Sequence, residues 1–122
     1  MNINVNGEDF ELSTKLLTTK RIEWKFKKPY LRILENIQDM ESEDQVNLMA
    51  CGIAYVDGKE DKEEIKRFKE AMDEIGIGDL SDYLEKFIDG LQYPGLSEEE
   101  IEQKKLEKVN KQKHMKEIGL IN

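Results

Sequence analysis

A chain of 122 residues suits one domain and buries about two-thirds of the surface its unfolded form exposes. With 38% charged residues and a net charge of −8, it holds a modest core inside a strongly solvated surface. A lone cysteine excludes an internal disulfide framework and points to a cytoplasmic setting, while the absence of an export signal or of about 18 consecutive apolar residues argues against a membrane.

The charge is uneven. Residues 1–40 carry 7 basic and 6 acidic side chains, residues 41–100 carry 6 and 18, and residues 101–122 carry 6 and 3. The anionic middle repels a phosphate backbone, which makes nucleic acid a poor partner.

Ile3 and Val5 alternate with Asn2, Asn4 and Asn6, and after Gly7 Phe10 and Leu12 alternate with Glu11 and Ser13. The pattern predicts two short strands around an Asn6-Gly7 turn. Ile3, Val5, Phe10 and Leu12 then share one face that helices must cover, because a hairpin alone is marginal in water. From Ser13 or Thr14 a helical period begins, carried by Leu16, Leu17 and Trp24 and less regularly by Ile22 and Phe26, with a boundary near Lys28 set by Pro29. Trp24 falls on the expected core face. A second helix is expected from Pro29 to Met40, with Tyr30, Ile33 or Leu34, Ile37 and Met40 recurring every three or four residues.

Ser42 with Gln45 forms a capping-box pattern for a third helix. From Val46 to Ala54 that helix is apolar nearly all round, as a central helix is, and Asp57-Gly58 ends it. Lys59 to Ile75 is amphipathic through Ile65, Phe68, Met72 and Ile75, with Gly76 as C-cap. A fifth helix opens at Gly78 or Asp79, carries Leu80, Tyr83, Leu84, Phe87, Ile88 and Leu91, and closes at Gly90 and the Tyr93-Pro94-Gly95 turn. Ser97 and Glu100 repeat the capping box for a last helix reaching Glu117. Its apolar residues, Ile101, Leu106, Val109 and Met115, are too few for a helix buried by its own domain.

The expected fold is mainly α (α+β): an N-terminal two-stranded β-hairpin packed on a bundle of about five helices, with a protruding C-terminal helix. Residues 1–96 form the globular body, and residues 97–122 form a charged helix or tail that a partner orders.

No constellation points to catalysis, a metal or a cofactor. His114, the sole histidine, lies in a Lys-rich tail without an orienting group, and one Cys with one His do not make a zinc site. Cys51, inside the apolar run 48–54, reads as a buried, inert thiol. Asp57 to Glu63 fails the calcium-loop pattern, because Lys59 and Lys62 stand where an oxygen ligand and the turn glycine are needed. Gly76-Ile77-Gly78 lacks the third glycine and the preceding strand of a phosphate loop. Glu98, Glu99 and Glu100 suit the positive end of a helix dipole. Between Lys15 and Arg32, basic residues interleave with Trp24, Phe26 and Tyr30; a core face with a solvated basic rim explains this, and the rim suits an acidic protein partner. The chain is therefore read as a non-enzymatic protein binder whose contact residues are drawn from Tyr30, Ile101, Leu106, Val109 and Met115.

The opening Ile3-Asn4-Val5-Asn6-Gly7-Glu8-Asp9-Phe10-Glu11-Leu12, followed by Ile22-Glu23-Trp24-Lys25-Phe26, resembles the start of tail assembly chaperones from long-tailed phages and prophages of low-GC Gram-positive bacteria. Size, acidity and a charged C-terminal segment resemble them too, although the specific residues are confined to roughly the first thirty. The resemblance implies a protein that coats the tape measure protein, keeps it soluble and is displaced as tail-tube subunits polymerise. The same composition suits an acidic adaptor or regulatory module of the antitoxin or anti-repressor kind, and a second copy of the chain is a further candidate cover for the last helix.

Overall fold

The computed structural model describes the backbone of residues 1–117 and the side chains of residues 1–109. Strands β1 (Asn2–Val5) and β2 (Glu8–Glu11) pair antiparallel with Ile3 opposite Phe10. Six α-helices follow: α1 (Leu16–Phe26), α2 (Tyr30–Glu35), α3 (Ser42–Ala50), α4 (Lys62–Met72), α5 (Ile77–Gln92) and α6 (Glu98–Glu117), with a 3₁₀ turn over Ile37–Asp39. The protein is mainly helical with an N-terminal hairpin, as expected.

The hairpin turns at Asn6 (φ 52°) and Gly7 (φ 84°), both left-handed as a two-residue connection requires. Asn4 secures it, accepting from Gly7 N–H at 3.1 Å and donating to Asp9 Oδ1 at 2.9 Å. Ile3, Val5, Phe10 and Leu12 are all buried on one face. They pack with Leu48, Met49 and Ile53, with Phe68, Ala71 and Met72 of α4, and with Leu80, Leu84 and Phe87 of α5. Phe10 meets Phe68 edge to face, with centroids 5.2 Å apart.

Several boundaries differ from expectation, each for a local reason. Ser42 is the first residue of α3 rather than its cap; Glu41 holds the cap position, and Gln45 donates instead to Ile37 O at 2.8 Å. α3 stops at Ala50 because Cys51, Gly52 and Ile53 close i→i−3 bonds to Leu48, Met49 and Ala50. Asp57 (φ 52°) and Gly58 (φ 77°) form a tight turn that bridges Val56 and Lys59 through two backbone bonds of 2.9 and 3.0 Å. That turn delays α4 to Lys62, where Asp61 Oδ1 caps the helix by accepting from Glu64 N–H. Gly90 lies inside α5 instead of ending it. A Cβ there would stand 2.9 Å from Thr14 Cγ2, so its bare backbone admits the segment leading into α1.

Gly52 plays the same part at the centre. A Cβ on it would meet Phe87 Cε1 at 3.0 Å and both Leu12 Cβ and Ser13 O at 3.1 Å, while its carbonyl accepts from Ser13 N–H at 2.7 Å. Half of the expected α6 capping box forms: Ser97 Oγ accepts from Glu100 N–H at 3.2 Å, and the Glu100 carboxylate accepts from the Ser97 hydroxyl rather than from its backbone N–H. The 97–122 segment is not wholly separate from the body, however. Ile101 is buried, and Lys105 donates to Asp89 Oδ2 of α5 at 2.8 Å, so the first two turns of α6 belong to the body.

Phe68→Ala removes a fully buried ring and is expected to cost about 3–5 kcal/mol, whereas Gly52→Ala overpacks its site and costs about 1–3 kcal/mol. Urea denaturation followed by circular dichroism measures both.

Candidate protein-binding face

The local sequence of α1 offers two apolar stripes. Thr18, Ile22 and Phe26 recur at i, i+4, i+8; Thr18 and Ile22 are fully buried and Phe26 packs against the core. At 100° per residue, Leu16, Lys20, Trp24 and Leu17 share the opposite arc, spanning about 100°. That arc faces solvent, with Leu16 69%, Leu17 49% and Trp24 65% exposed. Trp24 is thus corrected from a core residue to a surface one, and Leu16 and Leu17 with it. The reason is that the wide apolar stripe and the narrow one are out of phase, and the body accepts the narrow one.

Two contacts fix this phase. On one side of the arc Arg21 stacks over the Tyr55 ring, its guanidinium carbon 3.6 Å from the centroid. On the other, the Glu23 carboxylate accepts from Tyr30 N–H at 2.9 Å and satisfies a free donor in the first turn of α2. Leu31, 72% exposed, follows directly. Tyr55 thus borders the arc on one side, and Val56 and Leu31, each next in sequence to one of the two anchors, are exposed as well.

Its charge is as distinctive as its apolarity. Residues 15–32 carry seven basic side chains and one acid, in a chain that is otherwise strongly anionic. Among the described residues, the ion pairs are formed by Lys66, Arg67, Lys86 and Lys105, and none involves Lys15, Lys20, Arg21, Lys25, Lys27, Lys28 or Arg32. The exposed apolar residues thus sit in a basic rim that forms no ion pair among the described residues.

The residues expected to contact a partner divide. Tyr30 is half-buried, its hydroxyl lacks a hydrogen-bond partner, and burial together with nearby Asp89 raises its pKa. Ile101 is buried by its own chain and so lies off any exposed face. Leu106 and Val109 are exposed on α6. The Met115 side chain lies outside the described residues, as does that of His114. The arc on α1 was missed at the level of sequence; the i, i+7 pair Leu17 and Trp24 flanking Lys20 was the available signal.

Other candidates carry less. A groove of about 890 Å³ between β1, α5 and the start of α6 has its polar groups engaged with one another: Tyr83 Oη donates to Asn4 O at 2.7 Å, and Lys105 bridges to Asp89. Among the described residues no group of three His, Cys, Asp or Glu side chains is placed to hold a metal ion. The Cys51 thiol donates to Asn47 O at 3.4 Å, and burial pushes its pKa up to about 11, against thiolate chemistry. No helix among the described residues is long and apolar enough to cross a membrane. Neither a known protein family, nor a curated protein, nor a solved structure matches this chain.

Two outcomes follow. Trp24→Ala and Leu17→Ser are expected to change stability by no more than about 0.5 kcal/mol, while Ile22→Ala costs about 2–5 kcal/mol; thermal denaturation distinguishes them. Because the folded Cys51 pKa lies above its ordinary value of 9.0, the fold favours the protonated thiol, and this contribution is present below pH 9 and lost as pH rises towards 11. Iodoacetamide labelling of the native chain should therefore be slow at pH 8, and Cys51→Ala should flatten the alkaline loss of stability.

Proposed function

We propose that this protein is a non-enzymatic protein-binding module, and specifically a phage or prophage tail assembly chaperone that keeps a tape measure protein soluble until tail-tube subunits polymerise around it. The observation that supports this reading is the solvent-facing arc of α1, where Leu16, Leu17 and Trp24 stand exposed within a basic rim. Large apolar side chains clustered on a surface mark interaction sites, and burying each contributes about 1.5–3 kcal/mol before the entropic cost of association. A client helix whose apolar stripe is flanked by acids would match this surface. The anionic remainder of the chain keeps the complex dispersed.

Co-expression with a tape measure protein that is insoluble alone, followed by size-exclusion chromatography with light scattering, tests the proposal. The client should become soluble and co-elute, and Leu17→Ser combined with Trp24→Ala should reduce its recovery about tenfold. Separate elution with no gain in client solubility would favour an acidic adaptor of another kind.

A further inference from the structure

The α1 arc is not the only unpartnered helix face on the molecule. On α6, Glu99, Glu102, Leu106 and Val109 fall within about 80° of arc, and all four are exposed. Ile101, about 80° from Val109 around the helix, is the residue that α6 buries in its own body. One molecule therefore shows two exposed apolar helix faces that differ in charge: the one on α1 holds Lys20, and the one on α6 holds Glu99 and Glu102.

The α6 face begins where the helix is tied to the body. Lys105, one residue before Leu106, is tied to Asp89 at 2.8 Å. Within one chain the faces do not cover each other, since Leu17, Trp24, Leu106 and Val109 all remain exposed.

We infer that a second copy of this chain covers them: α6 of each protomer docks its Glu99, Glu102, Leu106 and Val109 face on the Leu16, Leu17 and Trp24 arc of the other, around a two-fold axis. A two-fold arrangement satisfies both faces of both chains at once and leaves no open end for further growth. Charge complementarity selects this occupant, because Glu99 and Glu102 bring acids to a rim of seven bases and one acid. An extended polyanion suits the rim less well. A duplex or an anionic bilayer reaches beyond the patch and meets residues 41–100, where 18 acids stand against 6 bases. Self-pairing of this kind shields the binding face until a client displaces it. It does not depend on what the client is.

Trp24 is the sole tryptophan and so reports on the contact directly. Sedimentation velocity and tryptophan emission are measured together on the full chain from about 1 µM to about 200 µM. The expected result is a monomer-to-dimer transition accompanied by a blue shift as Trp24 leaves water. Trp24→Ala (by sedimentation alone), Leu106→Glu and Glu102→Lys should each weaken the dimer about tenfold or more, and Lys20→Glu should restore pairing to Glu102→Lys. All of these positions are exposed, and circular dichroism confirms that each variant is folded. A monomer with constant emission across the whole range overturns the inference, and so does a dimer that Trp24→Ala and Leu106→Glu leave unchanged. Neither result bears on client solubility in co-expression, so this inference and the chaperone reading fail separately.

Discussion

Phe10 meets two groups of α4. Phe68 packs edge to face with it, centroids 5.2 Å apart, and the Arg67 guanidinium lies over its ring at 4.0 Å. Arg67 is itself bound to Glu64 and donates to Asp9 O at 3.0 Å, so one side chain ties helix, ring and strand backbone together. A two-stranded hairpin has no independent stability to spare, and this clamp, with Tyr83 bonded to Asn4 O, joins it to both α4 and α5. The chain leaving the hairpin then passes over Gly52 and Gly90, at the two places where a missing Cβ lets the backbone through. The position of α1 follows from that path.

Once the hairpin, α3, α4 and α5 have filled the interior, little room remains for α1. It buries Thr18 and Ile22 fully, and Thr18 Oγ1 lies in the interior without a hydrogen-bond partner, an arrangement that carries a desolvation cost. Turning the helix to bury Leu17 and Trp24 would break both contacts that orient it, Arg21 on Tyr55 and Glu23 on Tyr30. The large apolar residues stay outside as a consequence of packing, and they end up beside basic side chains that form no ion pair among the described residues. The surface most suited to binding is thus generated by the way the core was closed.

The C-terminal helix shows the same division at smaller scale. Its first turns are fastened by Ile101 and by the Lys105 bridge to Asp89, flanked by Lys86 near Glu98 at 3.8 Å. These exposed ion pairs contribute little energy individually but set the direction in which α6 leaves. Beyond them Leu106 and Val109 find no cover within the described chain.

The sequence by itself determined the hairpin, its inward face of Ile3, Val5, Phe10 and Leu12, and the amphipathic faces of α4 and α5, because each of these segments has a single apolar stripe whose period admits only one burial. It also marked the last helix as under-filled. Tertiary structure alone decided the phase of α1, the early stop of α3, and the burial of Ile101. In α1 two stripes compete, Leu17 with Trp24 against Thr18 with Ile22, and periodicity favours the more apolar one. The outcome was set instead by which stripe fitted the space left by the core and by anchors outside the helix, at Tyr30 and Tyr55. Local pattern records how much apolar surface a helix has, whereas the choice of which face is buried belongs to the neighbours that close around it.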